Sequence, residues 1–298
     1  MSLDGDAPDT IVLIHGLWLT ARSWDRWVDR YTSRGFRVLA PAWPGMEAEV
    51  EALNADPSPI ARLTVDRIVD HYEDIVLGLE RPPIIMGHSF GGTFTQILLD
   101  RGLGAAAVGV ASATVKGVRD LPLSTIKVAA PALSPFKKDQ AVPLTPKEFH
   151  YAFTNTLSQE ESEAIYRRYH VPAAGRVLHQ YAFANFHRDA PTTVDFHREA
   201  RAPLLFIGFG EDHLMPPKVV GHTEEKYDDA VSITEYMEFP GRPHFPSVPG
   251  WEEVADYALT WAIEHASRPV ADHGSDAYTD TPAPRDRRPD AAGARPGD

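Results

Sequence analysis

The chain of 298 residues is 43% hydrophobic and 24% charged, which is ordinary for a soluble globular protein. Its formal net charge of −13 argues against a nucleic-acid partner, because phosphate backbones are bound through clustered Lys and Arg. The absence of cysteine excludes a thiol nucleophile and thiolate metal ligands. No apolar run reaches the roughly 20 residues of a membrane span, and the first residues lack the layout of a secretory signal. We therefore expect a cytoplasmic protein without a membrane partner.

Short apolar runs alternate along the chain with segments of helical periodicity. The predicted strands are 10–15, 37–40, 83–86, 105–111, 204–209 and 232–239. The predicted helices that alternate with them are 23–33, 63–79, 92–100 and 251–264. Strands that are apolar throughout and alternate with helices indicate a parallel sheet covered on both faces. The sequence thus predicts a doubly wound α/β core of about six strands, built from residues 1–115 and 202–267.

Residues 116–201, hereafter the inserted segment, interrupt this alternation between the fourth and fifth predicted strands. The segment opens with a Pro-rich stretch and contains no strand-like run. Capping boxes at Thr145 and Ser158 predict that a helix begins after each of these residues. The predicted helices of the segment are 146–156, 159–169 and 173–186. Because a structureless loop of this length is implausible in a compact domain, we expect a small helical subdomain.

The final stretch, residues 268–298, is rich in Pro, Gly, Ala, Asp and Arg and has few large apolar side chains. Such a stretch buries too little apolar surface to offset the entropy of ordering it. We expect it to be a disordered tail.

The strongest chemical signal is Gly87-His88-Ser89-Phe90-Gly91, which lies between a predicted buried strand and a predicted helix. A G-x-S-x-G pattern in this context is typical of a nucleophile elbow, with Ser89 exposed at the turn. Glycines suit the pattern because neighbouring side chains would collide in so sharp a turn. The alternative is a phosphate-binding turn, but the chain has neither G-x-G-x-x-G nor G-K-[ST].

A serine nucleophile needs a base, and the base needs an acid that orients it. Of the 13 histidines, His244 follows the last predicted strand, where catalytic groups of open α/β sheets collect. Asp212 follows the fifth predicted strand, and Glu211 beside it is the alternative acid. The order Ser89, Asp212, His244 is the order of the triad in α/β hydrolases.

With these motifs the chain resembles the α/β-hydrolase superfamily, and within it the esterase, lipase and haloperoxidase-like serine hydrolases. The resemblance rests on the His15-Gly16 turn, the elbow at Ser89, and the loops that carry Asp212 and His244. It spans about residue 10 to residue 265. It implies an α/β-hydrolase fold in which the inserted segment forms a lid, or cap, over the active site.

The resemblance also implies a mechanism. Ser89 attacks an acyl carbon, His244 carries the proton, and Asp212 holds the imidazole. The backbone N–H groups of Leu17 and Phe90 form the oxyanion hole. We expect no cofactor and no metal site, because no histidines stand at metal-ligand spacing.

Apolar residues flank the predicted site, which favours a small or medium apolar acyl substrate. The candidate pocket residues are Trp18, Leu214, Met215 and Phe245. The aromatic residues of the inserted segment are expected mainly to pack within that segment. The expected activity is hydrolysis of an ester, lactone or thioester.

Two other functions stay open at this stage. One is acyl transfer or elimination in biosynthesis, using the same triad with water excluded. The other is ligand binding without catalysis, in which the fold serves as a receptor. The sequence leaves the oligomeric state undetermined.

Overall fold

The computed structural model describes residues 7–120, 122–227 and 231–266. Six strands form one sheet in the order β2-β1-β3-β4-β7-β8, and every neighbouring pair is parallel. The strands of this sheet are β1 Thr10–Ile14, β2 Arg37–Leu39, β3 Ile84–His88, β4 Ala106–Val110, β7 Leu204–Phe209 and β8 Thr234–Phe239. The predicted fold class is confirmed. The expectation that residues 268–298 are disordered concerns a stretch outside the described residues.

Helices cover both faces of this sheet. Those outside the inserted segment are α1 Asp25–Thr32, α2 Val50–Ala55, α3 Ser58–Ala61, α4 Val65–Leu77, α5 Phe90–Asp100, α10 Pro217–Glu224 and α11 Trp251–Ala266. Short 3₁₀ turns occupy Ala21–Trp24 and Glu225–Tyr227. In the part of the chain that the structure describes, no helix combines the length and apolar character needed to cross a bilayer.

The core lies in two layers, one on each face of the sheet. Because successive strand residues point to opposite faces, Ile11 and Leu13 pack with Trp27 of α1 and with α11. Val12 and Ile14 join the other layer, which contains apolar residues of α4, α5 and the inserted segment. The inserted segment therefore continues the apolar layer on one face of the sheet.

The inserted segment is largely helical, as predicted. Its helices are α6 Leu123–Ala129, α7 Pro146–Phe153, α8 Gln159–Tyr169 and α9 Gly175–Ala182, with 3₁₀ turns at Ala130–Leu133, Pro135–Lys137 and Ala184–Phe186. Both capping boxes form: the side chains of Thr145 and Ser158 accept from the backbone N–H three residues on, and Glu148 and Glu161 accept in return. The first residues of α7 and α8 could thus be predicted from the capping-box sequences alone.

The prediction that the inserted segment contains no strand was wrong. β5 (Ala141–Val142) and β6 (Ala173–Ala174) pair in antiparallel register. Each strand has two residues, too few for an alternating pattern to show in the sequence. The third predicted helix, 173–186, is also divided, since its first two residues form β6 and α9 ends at Ala182.

Candidate active site

The turn between β3 and α5 is as sharp as its glycines require. Ser89 adopts φ 55° and ψ −119°, a region that residues other than glycine rarely occupy. A Cβ on Gly87 would lie 2.1 Å from the carbonyl oxygen of Gly91, and one on Gly91 would lie 2.1 Å from that of Ile14. The backbone can pass through this turn only because both positions lack a side chain.

Asp212 and His244 are joined by a buried hydrogen bond. The loop after β7 carries Asp212, and the loop after the neighbouring strand β8 carries His244. Nδ1 of His244 lies 2.6 Å from Oδ2 of Asp212, and both side chains are fully buried. The second carboxylate oxygen of Asp212 accepts the backbone N–H groups of Leu214 and Met215 at 2.7 and 2.8 Å. These two bonds fix the carboxylate and leave Oδ2 aimed at the imidazole.

The hydrogen bond to Asp212 sets the tautomer of His244. A carboxylate only accepts, so Nδ1 of His244 carries the proton and Nε2 holds a lone pair. Nε2 is buried and has no hydrogen-bond partner, so no bond joins it to Ser89 Oγ in this structure. Hydrogen bonds of this kind often tighten only when substrate is present. His244 thus has one nitrogen committed to Asp212 and one nitrogen free to accept a proton.

The turn after β1 lies against Ser89. A Cβ on Gly16 would lie 2.8 Å from Cβ and 3.3 Å from Oγ of Ser89, so only glycine allows this approach. Leu17 follows directly. Phe90 is the first residue of α5, so its backbone N–H has no acceptor within the helix and lies at the positive end of the helix dipole. Of the two backbone donors that the resemblance implies, Phe90 directly follows Ser89, and Leu17 directly follows the glycine that approaches it.

Aromatic side chains from the inserted segment reach the site. Phe153, the last residue of α7, packs its ring edge-on against His244 with centroids 5.0 Å apart. Tyr181 of α9 packs against Phe90 at 4.7 Å, and its hydroxyl lies 2.8 Å from Oγ1 of Thr114. Phe153 also stacks on Phe149 within the segment at 4.7 Å, as expected, whereas the ring contact of Tyr181 is with the core. Helical periodicity shows which residues share a face, but not which face meets the core.

The predicted pocket residues all join one apolar cluster that also contains Phe153. Trp18 lies edge-on to Phe153 at 6.3 Å and donates its indole N–H to the carbonyl of Val142. Phe245 donates its backbone N–H to the carbonyl of Phe153 at 2.9 Å. Leu214 and Met215, besides packing in the cluster, hold Asp212 through their N–H groups.

Two further histidines are buried close to the site. His15 stacks on Trp43, and burial lowers its pKa from 6.5 to about 4. His88 is fully buried next to Ser89, and burial, followed by its proximity to His244, holds the pKa of His88 well below its usual value. Both imidazoles are therefore neutral at physiological pH.

The other candidates near the acid loop lie apart from His244. Glu211 is exposed, whereas Asp212 is only 3% exposed and holds the imidazole. His213 points toward the inserted segment, where its Nδ1 lies 2.8 Å from the carbonyl oxygen of Tyr151. Within the described ranges, no group of three or more His, Cys, Asp or Glu side chains could hold a metal ion.

The residues of the candidate triad are buried. Ser89 is 5% exposed and His244 is 0% exposed. Phe153 and Tyr181 of the inserted segment contact His244 and Phe90 respectively.

A parallel sheet with these polar side chains at its carboxyl edge defines an α/β enzyme of the hydrolase class. The chain belongs to the alpha/beta hydrolase family, which matches residues 11–257. No curated protein matches the sequence.

Solved structures share the fold. The monoacylglycerol lipase of Paleococcus ferrophilus is 20% identical, with a TM-score of 0.62, and the match covers 87% of this chain and 96% of that one. An extracellular alpha/beta-hydrolase from a Paenibacillus species is also 20% identical, with a TM-score of 0.62 and coverage of 86% and 99%. A thermophilic esterase from Thermogutta terrifontis is 17% identical, with a TM-score of 0.61 and coverage of 88% and 92%. At these identities the likeness concerns the fold.

Proposed function

We propose that the chain hydrolyses carboxylic esters, lactones or thioesters through a triad of Ser89, His244 and Asp212. The observation that carries this proposal is the buried 2.6 Å bond from His244 to Asp212, which leaves Nε2 of His244 free. A strained serine at the carboxyl end of β3 supplies the nucleophile. Family membership supports hydrolysis, and the solved relatives named as a lipase and an esterase support ester substrates.

In the first half of the reaction, Ser89 Oγ forms a bond to the acyl carbon while Nε2 of His244 takes the hydroxyl proton. The bond from the acyl carbon to the leaving group then breaks. His244 passes its proton to the leaving group, which departs as an alcohol or thiol. Asp212 stabilises the imidazolium that exists between these two transfers.

In the second half, water attacks the acyl-enzyme and gives its proton to Nε2 of His244. The ester bond to Ser89 breaks, Oγ takes the proton back, and the carboxylic acid leaves. The backbone N–H groups of Leu17 and Phe90 receive the oxyanion in both halves. One such donor contributes roughly a hundredfold or more in rate.

The surroundings of the triad favour an apolar acyl group of small or medium size. Phe153 packs against His244 and also contacts Trp18, while Phe90, the neighbour of Ser89, packs with Tyr181. These rings bury apolar surface and provide few polar partners for a charged substrate. We further propose that the inserted segment is the cap, and that its displacement admits substrate.

The test is turnover of p-nitrophenyl esters of increasing acyl length, together with a lactone and a thioester. We expect wild-type activity on short and medium chains and a loss of several orders of magnitude in Ser89→Ala. Ser33→Ala, at an exposed serine, is the matched control and should keep full activity. A folded wild-type protein that turns over none of these classes would support a receptor without catalysis.

The burial of the triad residues favours one second candidate, transfer of the acyl group to a nucleophile other than water. A site this poorly exposed protects an acyl-enzyme from hydrolysis until the correct acceptor arrives. Reaction in ¹⁸O-water separates the two functions. Hydrolysis places the label in the product acid, whereas transfer to an added alcohol or amine gives an unlabelled ester or amide.

A further inference from the structure

His88, the residue before the nucleophile, contacts the loop that carries His244. Its Nε2 lies 2.8 Å from the backbone carbonyl oxygen of His244. The two imidazole rings are 4.7 Å apart between centroids and inclined by 48°. The bond joins residues 156 positions apart in the chain. It links the end of β3 directly to the backbone of His244, the proposed base.

The contact defines the state of the His88 ring. A carbonyl oxygen only accepts, so Nε2 of His88 carries the proton and Nδ1 does not. Nδ1 is buried and has no hydrogen-bond partner, so a proton there would lack an acceptor. The groups that face the ring are His244, His15 and the edge of Trp24. A second positive charge is therefore disfavoured here, and His88 stays neutral while His244 becomes charged.

We propose that His88 is a positioning residue, which sets the distance between Ser89 and the imidazole of His244 by holding the backbone of His244. The inference rests on the proposed triad. Asp212 orients the His244 ring from its Nδ1 side, and the N–H of Phe245 ties the loop to Phe153, but neither bond joins the loop to the β3–α5 turn that carries Ser89. The bond from His88 supplies this constraint from the chain neighbour of the nucleophile. A displacement of about 1 Å in a catalytic group costs about 100-fold in rate.

Three substitutions separate positioning from packing. In His88→Gln the side-chain amide reaches the place of Nε2 and can still donate to the His244 carbonyl. In His88→Asn the amide is one bond shorter and cannot reach it, although its polarity is the same. His88→Leu has similar bulk and no donor. The Gln and Asn variants form the matched pair, and they decide the question even if the Leu variant does not fold.

We expect kcat on a p-nitrophenyl ester to fall about 100-fold in the Asn and Leu variants, with KM little changed. The Gln variant should stay within about tenfold of the wild type. The acid limb of its pH–rate profile should also stay where it is in the wild type, because His88 is neutral. Equal activity in the Asn and Gln variants, or an acid limb that moves to higher pH in the Gln variant, would overturn the proposal.

A second measurement does not depend on turnover. The proton on Nδ1 of His244 is visible by ¹H–¹⁵N NMR when its bond to Asp212 is well ordered, and His244→Gln assigns the signal. We expect the signal to persist in His88→Gln and to broaden or vanish in His88→Asn, while both keep a melting temperature near that of the wild type. An identical signal in both variants would refute positioning. A wild type that is inactive on every ester would instead refute the proposed function and leave this readout valid.

Discussion

A methyl group on Gly16 would lie 2.8 Å from Cβ of Ser89 and 3.0 Å from the carbonyl oxygen of His88. At this point the turn after β1 contacts Ser89 through backbone atoms, with no side chain between them. The next residue is Leu17, whose backbone N–H is the proposed second donor to the oxyanion.

Gly16→Ala should lower kcat/KM about 100-fold, because the new methyl group pushes the turn away from Ser89 and displaces one oxyanion donor. Ester turnover and thermal melting measure the two effects separately. The control is Gly221→Ala in α10, where an added Cβ meets no atom within 4 Å. That change should keep activity and stabilise the helix by up to about 1 kcal/mol. Full activity in Gly16→Ala would show that the turn has no catalytic role.

The acid is identified by a second pair of variants. Asp212→Asn should lower kcat by about 10⁴-fold, because an amide can donate to Nδ1 of His244 and stabilise the wrong tautomer. Glu211→Gln should keep nearly full activity, since the Glu211 side chain is exposed. Steady-state kinetics on one ester check both. The reverse result would assign the role of the acid to Glu211 instead of Asp212.

Phe153 should limit the size of the group bound beside His244, because its ring packs edge-on against that imidazole. In Phe153→Leu, kcat/KM for bulky esters should rise relative to that for acetate, while the melting temperature falls because buried contacts are lost. Phe186→Leu is the control, since Phe186 is 82% exposed and lies at the surface of the inserted segment. If kcat/KM depends on ester size in the same way in both variants, the substrate does not bind beside Phe153.

His170 makes stability depend on pH. Burial lowers its pKa from 6.5 to about 4, and its Nε2 accepts the N–H of Leu144. The unfolded chain therefore binds this proton first as pH falls. The contribution to stability is complete above pH 6.5 and is lost between 6.5 and 4, at up to about 1.4 kcal/mol per pH unit.

Urea denaturation at several pH values measures this slope. His170→Gln should flatten the dependence of the unfolding free energy on pH in this window. Tyr166→Phe is the matched control, since it removes the hydroxyl bond to the carbonyl of Leu144 without removing an imidazole. Tyr166→Phe should lower the unfolding free energy by about 1 kcal/mol at every pH and leave its dependence on pH unchanged. An unchanged slope in His170→Gln would contradict the assignment.

Local patterns carried much of the sequence prediction. The buried strands were predicted from apolar runs in the sequence. The turn at Ser89 was predicted from glycines placed between a strand and a helix. The capping boxes at Thr145 and Ser158 were readable because they depend on four consecutive residues. The helices α2, α3, α6 and α10, of four to eight residues, were missed, because so few residues give a weak periodic signal and none of the four begins with a capping box.

The contacts that complete the site could not be predicted in this way. The bond from His88 to His244 and the packing of Phe153 on His244 join residues far apart in the chain. They depend on the register of the sheet and on where the inserted segment meets the core. No local pattern records either of these.

The most direct test of the proposed triad is labelling with a fluorophosphonate probe, followed by digestion and mass spectrometry. We predict one adduct, on Ser89, which is absent in Ser89→Ala and forms at least about 10³-fold more slowly in His244→Ala. A folded protein that carries no adduct on Ser89, or in which His244→Ala labels as fast as the wild type, would contradict the proposed mechanism.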